Sequence, residues 1–436
     1  MKKQIIILIE KIHFLIFRSK MSPEMRKFLG NLSWSISIGI IIVPLMMLVT
    51  TLAGRYMGPI EYGKYSLLIV INQFLLIFVF FGLDTVSVKN ISKAETVRDK
   101  KKLISAILYF ILTILLILSI LTILAYPILF KYLNRYSLFA IFVSYYTIIL
   151  TIKLMFDWFI RGIGDFKRQA FGKILETLTV LIIFIFIFYF LHKNNFLDYI
   201  FVVTGGMIEM SFYYFLNLRK YFGNNDNKIL KKQLGDAKIF FIGSIFATIY
   251  LIADRLVVAR FLGIESLGIY SAYYFASFTL ITQVTQFFNN VFFPTSARIK
   301  DKSFTKKIDR LFIIGLIPLT FILCAVIILM LLLFGKNYPI NSVYVFVFAF
   351  YSAIYFFQAI YGTVVIDAPY TQYKKYLIFI NSVNFLSISL YGLAIYLHIL
   401  SIPFILIVLI LNNIITIYIQ RLYIKIMLTS QDLIKC

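Results

Sequence analysis

The chain has 436 residues, of which 61% are hydrophobic and 14% are charged, and its mean hydropathy is +0.90. Soluble domains carry roughly a quarter charged residues, so this composition excludes a soluble globule. The net charge of +24 is spread over short loops between apolar stretches. Short loops cannot build the single basic face that nucleic acid requires, so a nucleic-acid partner is excluded and a lipid bilayer is expected.

The apolar stretches are about 18–24 residues long, the length that a helix needs to cross a bilayer core of roughly 30 Å. None alternates polar and apolar residues as barrel strands do, so helices are the spanning elements. We therefore predict an all-α integral membrane protein with about 12 transmembrane helices. The predicted spans are 34–53, 65–83, 104–125, 137–156, 170–191, 199–218, 239–259, 270–290, 311–333, 342–362, 376–396 and 400–420.

Six spans lie on each side of a basic loop near the middle of the chain. Residues 1–20 are basic at the start and apolar afterwards, which suits a helix lying on the membrane surface; a true start at Met21 is an open alternative. The predicted organisation is a cytoplasmic N-terminal segment (1–33), a six-helix bundle (34–218), a cytoplasmic linker (219–238), a second six-helix bundle (239–420) and a cytoplasmic tail (421–436).

The distribution of basic residues predicts the orientation. With both termini cytoplasmic, 33 of the 43 Lys and Arg residues lie on the cytoplasmic side, seven lie on the other side and three lie inside spans. This asymmetry follows the positive-inside rule. The outward-facing loops are all short, so no extramembrane domain is expected on that side.

One phrase occurs twice. RYMGPIEYGKYS begins at Arg55 and RFLGIESLGIYS begins at Arg260, 205 residues later. The shared residues suit a corner between two helices: the arginine at a helix end, the first glycine as a helix stop, the second for a tight path into the next span, and the tyrosine at interface depth. The shared pairs are Arg55/Arg260, Gly58/Gly263, Gly63/Gly268, Tyr65/Tyr270 and Ser66/Ser271. The repeat indicates two bundles related by an internal duplication.

Motifs for catalysis and nucleotide binding are missing. The sequence has no G-x-x-x-x-G-K-[ST], no H-E-x-x-H, no G-x-S-x-G and no Asp-x-Asp. We expect no cofactor, no metal and no enzymatic activity. Two six-span halves without hydrolysis machinery favour a secondary transporter.

Four segments carry a resemblance to a known family. NLSWSISIGIIIVPLMMLVTTLAGRYMGPIEYGKYSLLI and YLIADRLVVARFLGIESLGIYSAYYF, with FFPTSARI and LLLFGKNYP, resemble the polysaccharide flippases of the multidrug/oligosaccharidyl-lipid/polysaccharide exporter (MOP) superfamily. O-antigen flippases of the Wzx type are the most similar members. The resemblance implies a MATE-like fold of two six-helix bundles around a central cavity that opens alternately to each side.

The resemblance also implies a cargo and a location. The cargo is an undecaprenyl-pyrophosphate-linked oligosaccharide, an O-antigen or capsule repeat unit, moved from the cytoplasmic to the periplasmic leaflet of the bacterial inner membrane. Glycan polymerase and chain-length regulator proteins are the expected protein partners. Three alternatives stay open: a cation-coupled drug exporter of the same superfamily, a peptidoglycan-precursor flippase, and a membrane enzyme acting on lipid-linked glycans.

Ionisable side chains inside spans are the candidate functional residues, because they are costly in lipid and usually face a cavity or a partner. Lys153 and Asp157 are four residues apart and are predicted to pair, as are Lys173 and Glu176, three apart. If the cargo carries a pyrophosphate, cations would receive it. The candidate cations are Lys153, Arg161, Arg255, Arg55 and Arg260.

Two carboxylates are candidates for coupling transport to an ion gradient. Asp254 lies in the seventh span, where the first copy of the repeat has Val49. Glu209 lies in the middle of the sixth span, and an apolar setting favours the protonated form of a carboxyl group. Gln73 and Gln283 are candidates for binding sugar hydroxyls without requiring a charge.

Overall fold

The computed structural model describes residues 23–133, 137–224, 226–286, 302–365 and 370–433. These residues are almost entirely helical. The helices are α1 (Pro23–Phe80), α2 (Leu83–Lys93), α3 (Val97–Leu133), α4 (Ser137–Ile163), α5 (Phe166–Phe184), α6 (Phe196–Leu218), α7 (Asn227–Val257), α8 (Ile264–Tyr274), α9 (Lys302–Phe334), α10 (Ser342–Val365), α11 (Tyr370–Tyr396) and α12 (Ile402–Leu433).

Ten stretches in the described part of the chain are long and apolar enough to cross a membrane. The first, Ile41–Phe80, covers most of the first and second predicted spans (34–53 and 65–83), and the helix is interrupted within it at Gly58. The eighth predicted span is described as helical only to residue 286. The prediction of a helical membrane protein is confirmed. The proposed surface helix at 1–20 and the segment FFPTSARI lie outside the described residues.

The chain folds into two compact units. The first comprises Met1–Ala53 and Ile71–Ile245, and the second comprises Gly54–Val70 and Phe246–Cys436. The second unit therefore includes the first copy of the repeated phrase. Residues 227–238, predicted as part of the linker, form the first turns of α7. The predicted bundle boundaries remain a prediction.

The first unit has a buried core in which α4 is central. Helix α4 packs against α2, α3 and α6, and α5 packs against α6. Phe159 of α4 is fully buried, and Trp158 packs edge-on against Phe80 with ring centroids 4.2 Å apart. Trp158 is thus a core residue with 6% of its surface exposed. Helix α4 therefore carries its polar side chains among three neighbouring helices.

The two copies of the repeated phrase pack against each other within the second unit. A Cβ atom at Gly63 would overlap the carbonyl oxygen of Ile264, and a Cβ at Gly268 would overlap the carbonyl oxygen of Pro59. Ile264 and Pro59 are themselves equivalent positions of the repeat. The contact is therefore reciprocal. The second glycine of each copy permits this close crossing of backbones, rather than the tight path into the next span that we predicted.

The first glycine of each copy breaks its helix in the same way. Gly58 has φ 73° and ψ 172°, and Gly263 has φ 94° and ψ 165°. A positive φ with an extended ψ is readily adopted only by glycine. The predicted helix stops at Gly58 and Gly263 are confirmed, and the duplication extends to backbone conformation.

Tyrosine side chains stabilise the packing next to the repeated phrase in the second unit. Tyr338, in the turn between α9 and α10, donates a hydrogen bond of 2.9 Å to the carbonyl oxygen of Gly54. Its ring contacts Phe334 and Tyr62 at 4.9 Å and 6.3 Å between centroids. Burial raises the pKa of Tyr338, so its hydroxyl remains a donor at physiological pH. The hydrogen bond and ring contacts of Tyr338 therefore stay intact when the pH changes within the physiological range.

Candidate functional site

A buried ion pair lies near the end of α7 in the second unit. Asp254 and Arg255 are 2% and 7% exposed, and Oδ1 of Asp254 lies 3.8 Å from Nε of Arg255. Tyr270 of α8 donates a hydrogen bond of 2.5 Å to Oδ2 of Asp254. The guanidinium of Arg255 lies 4.9 Å from the centre of the Tyr274 ring and donates to the carbonyl oxygen of Leu251. Both charges are therefore buried among partners that hold them.

Several buried polar groups around this pair could make further hydrogen bonds. Among the described residues, Oδ1 of Asp254, the Tyr250 and Tyr391 hydroxyls and Oγ of Ser271 are buried without a hydrogen-bond partner. Tyr250 and Tyr391 both interact electrostatically with Asp254. Buried polar groups are normally satisfied, so a cluster of unsatisfied ones needs a reason. We call Asp254, Arg255, Tyr250, Tyr270, Tyr274 and Tyr391 the tyrosine cluster.

The first copy of the repeat has no counterpart to this cluster. Val49 and Thr50 occupy the positions of Asp254 and Arg255. Oγ1 of Thr50 accepts a hydrogen bond of 3.1 Å from the hydroxyl of Tyr199. Tyr270 is fully buried and binds Asp254, and its position at interface depth stays a prediction. The corner is duplicated, whereas the buried charge is specific to the second copy.

In the first unit, Lys153 pairs with Glu176. The Nζ of Lys153 lies 2.5 Å from Oε1 of Glu176, joining α4 to α5. The predicted pairs within α4 and within α5 are therefore wrong, because the side chains of Lys153 and Glu176 both point to the α4–α5 interface. The pair thus connects two helices, and each ionisable side chain has a partner of opposite charge within the membrane-spanning region.

Asp157, one turn further along α4, binds two other groups. Its Oδ2 lies 3.2 Å from Nε of Arg161, and its Oδ1 accepts a hydrogen bond of 2.9 Å from Gln169. Tyr214 of α6 donates to the carbonyl oxygen of Gln169 at 2.8 Å. Arg161 is the exposed end of this network. The candidate cations Lys153 and Arg161 are thus both partly neutralised.

Glu209 lies half-buried on α6 and accepts a hydrogen bond of 2.6 Å from Oγ1 of Thr179 on α5. Within the part of the chain that the structure describes, no Lys or Arg nitrogen lies within 4 Å of its carboxylate. A hydroxyl donor holds the side chain in place without a counter-charge.

The remaining predicted residues are more accessible. Arg55 and Arg260 are exposed at the ends of their helices, as predicted, and Arg260 lies 5.9 Å from the centre of the Phe261 ring. Gln73 and Gln283 are half-buried. Of the nine predicted site residues, Asp254 and Arg255 are brought together, and Lys153, Arg161 and Glu209 have partners that were not predicted as site residues.

Sequence reasoning missed a buried polar face on α12. Asn412, Thr416 and Gln420 are four residues apart and at most 3% exposed. Asn412 donates to Asn384 and Ser387 of α11, and Gln420 donates to Tyr376. Nearby, Arg421 binds Asp309 at 2.7 Å. The signal was present, because polar residues at i, i+4 and i+8 of a span mark one helix face.

Among the described residues, no group of three or more His, Cys, Asp or Glu side chains could hold a metal ion.

Comparison with solved structures shows a shared fold. A multidrug resistance MATE family transporter of the MOP superfamily in its inward-facing conformation aligns with a TM-score of 0.63 at 14% identity, covering 88% of this chain and 94% of that one. An outward-facing structure aligns with a TM-score of 0.58 at 14% identity, covering 94% and 99%.

A MOP superfamily transporter from Pyrococcus furiosus, described as having a binding pocket of reverse polarity, aligns with a TM-score of 0.59 at 12% identity, covering 94% of this chain and 99% of that one. The chain is a multi-pass membrane protein that shares the fold of these MATE-family structures. The sequence matches the family described as "Polysaccharide biosynthesis protein" over residues 28–300. The chain belongs to that family. No curated protein sequence matches it.

Proposed function

We propose that the protein is a flippase that moves an undecaprenyl-pyrophosphate-linked oligosaccharide, an O-antigen or capsule repeat unit, from the cytoplasmic to the periplasmic leaflet of a bacterial inner membrane. Alternating access is the mechanism. The observation that carries this proposal is the family match over residues 28–300, in a chain with the fold of a MOP-superfamily transporter. Polysaccharide synthesis requires a saccharide to cross the membrane, and a transporter fold provides that step.

The pyrophosphate of the cargo is proposed to bind cations that can exchange partners. Lys153 is held by Glu176, Arg161 by Asp157 and Arg255 by Asp254. A pyrophosphate offers more negative charge and more acceptor oxygens than one carboxylate, so it can replace Glu176 on Lys153. Arg55 and Arg260, which have no carboxylate within 4 Å among the described residues, are proposed to contact the cargo without such an exchange. Gln73 and Gln283 would bind sugar hydroxyls.

The energy source is proposed to be an ion gradient coupled through Asp254 and Glu209. Each carboxylate is held by a hydroxyl donor, Tyr270 for Asp254 and Thr179 for Glu209. Protonation of either carboxyl group would weaken the hydrogen bond that it accepts and thereby the contact between two helices. Asp254 links α7 to α8, and Glu209 links α6 to α5. Protonation would in this way alter helix packing, as alternating access requires.

Export of surface glycan in cells tests this proposal. A strain that lacks its own flippase and carries the matching glycosyltransferases is complemented with the wild-type gene or a variant. Lys153→Ala and Arg255→Ala should each abolish surface glycan when export is expressed per amount of protein in the membrane, which is measured alongside. Unchanged export in both variants would contradict the role of these cations. Resistance to organic cations without restored glycan would favour the drug-exporter alternative.

A further inference from the structure

A basic cleft of about 680 Å³ lies in the first unit, where α3 and α7 begin. Four cations line it, and the lining contains one carboxylate, that of Asp226. The cations are Arg98, Lys101 and Lys102 of α3, and Lys228 of α7. Among the described residues, none of these four has a carboxylate within 4 Å. The cleft therefore carries a net positive charge.

The backbone around the cleft adds to its positive potential. The helices α3 and α7 both begin at the cleft, so the positive ends of their dipoles are there. Asp226 uses its carboxylate to cap α7, accepting from the backbone amides of Lys228 and Ile229 at 3.1 Å and 3.3 Å. Its charge is thus engaged by the helix end rather than by a lysine.

The cleft has a defined shape. The backbone amide of Gly223 donates a hydrogen bond of 2.7 Å to Oγ of Ser105, which holds the segment before α7 against α3. A Cβ atom at Gly223 would overlap Cε of Lys101. The missing side chain lets Lys101, a residue that lines the cleft, lie across this segment.

The position of the cleft along α3 places it at the level of lipid headgroups. The membrane-crossing stretch Val97–Leu124 begins with the residues that line the cleft. The stretch Phe196–Tyr221 ends two residues before Gly223. We propose that this cleft binds the phosphate of an anionic phospholipid headgroup, at the membrane surface that the positive-inside rule assigns to the cytoplasm. This proposal holds for any cargo of the transporter.

A neighbouring cleft provides a matched control. It measures about 640 Å³ and is lined by Lys93 and Lys232, together with Glu95, Asp99 and Asp236. Here the acidic residues outnumber the basic ones. Removal of two lysines from this cleft changes the net charge of the protein as much as removal of two cations from the basic cleft, without affecting the proposed site.

Native mass spectrometry of the purified full-length protein, titrated with phosphatidylglycerol, tests the proposal. The wild type should retain a tightly bound lipid, and phosphatidylcholine should bind there at least about tenfold more weakly. In Arg98→Gln/Lys101→Gln the affinity for phosphatidylglycerol should fall at least about tenfold, since each basic residue near an anionic surface contributes about fivefold. The control Lys93→Gln/Lys232→Gln should bind as the wild type does.

Two outcomes would overturn the proposal. One is phosphatidylglycerol binding that is unchanged in Arg98→Gln/Lys101→Gln or reduced equally in the control. The other is inorganic phosphate that binds the cleft as tightly as phosphatidylglycerol does, which would indicate a soluble phosphate ligand. If the double variant does not fold, Lys101→Gln and Lys228→Gln are measured singly, each with an expected loss of about fivefold. Wild-type affinity in both single variants would equally contradict the proposal.

Discussion

The hydroxyl of Tyr270 donates a hydrogen bond of 2.5 Å to Oδ2 of Asp254, and both residues are almost completely buried. Tyr270 belongs to the repeated phrase, whereas Asp254 replaces Val49 of the first copy. Tyr270, which has an equivalent in both copies, thus binds Asp254, which has no acidic equivalent in the first half of the chain. This bond connects the architecture of the repeat to the candidate coupling residue.

Replacement of Tyr270 by Phe should uncouple transport from an ion gradient. The carboxylate of Asp254 would lose its hydrogen-bond donor, at a cost of about 1–3 kcal/mol in the free energy of unfolding. Transport rate measured against an imposed proton gradient should lose its dependence on that gradient. Tyr65→Phe, at the equivalent position of the first copy, is the matched control. Equal effects of the two substitutions on coupling would argue against a specific role for Asp254.

Alanine at Gly63 or Gly268 should destabilise the protein. Each new Cβ meets a backbone carbonyl that cannot move aside without shifting a helix, so we expect a loss of roughly 1–3 kcal/mol. Thermal unfolding in detergent measures it. Gly392→Ala is the control in the same unit, because a Cβ there meets nothing within 4 Å and alanine favours the helix. A melting temperature for Gly268→Ala equal to that of Gly392→Ala would contradict the reciprocal packing.

Substitutions in the Lys153–Glu176 pair should distinguish its contribution to stability from its contribution to transport. Lys153→Ala leaves Glu176 buried without its cation, which costs about 3–5 kcal/mol at a fully buried site and less here, where the lysine side chain is 19% exposed. The double variant Lys153→Met/Glu176→Leu removes both charges and should regain most of that stability. If Lys153 binds pyrophosphate, glycan export stays absent in the double variant. Recovery of export together with stability would show that the pair is only structural.

If Glu209 couples transport to a proton gradient, as proposed, Glu209→Gln should remove the dependence of transport on that gradient. The amide keeps the size of the side chain and can still accept from Thr179, so the folded state should change in stability by less than about 1 kcal/mol. Transport in proteoliposomes with and without a proton gradient is the measurement. Thr179→Val, which removes the donor and leaves the carboxylate, should alter the pH dependence without abolishing it. Full gradient dependence in Glu209→Gln would exclude Glu209 as a coupling residue.

The sequence predicted the fold more completely than the site. The length of the apolar stretches identified the helical membrane protein, and the phrase repeated 205 residues later indicated its duplication. Both features can be read directly from the sequence. The partner of Lys153 was mispredicted because contacts between helices depend on rotation about each helix axis, which local spacing does not specify. For the same reason the crossing of Gly63 and Gly268 was not foreseen, although both glycines were identified as special.

Asp254 and Arg255 were found because alignment of the two copies exposes a difference. The polar face of α12 was missed because Asn412, Thr416 and Gln420 have no counterpart in a repeated phrase. Neutral polar residues are common in membrane helices, and only the structure shows that these three share a buried face. Polar residues spaced four apart within a span therefore indicate a buried helix face, just as identity between two segments indicates a repeat.

The central claim is that this protein flips a lipid-linked oligosaccharide, and reconstitution into proteoliposomes tests it most directly. A fluorescent undecaprenyl-pyrophosphate oligosaccharide is placed in both leaflets, and a membrane-impermeant quencher measures how fast the inner pool reaches the outside. We expect the purified protein to accelerate this exchange at least about tenfold over empty liposomes, and Lys153→Ala to reduce it to the background. Exchange at the background rate in vesicles that export an organic cation would contradict the claim.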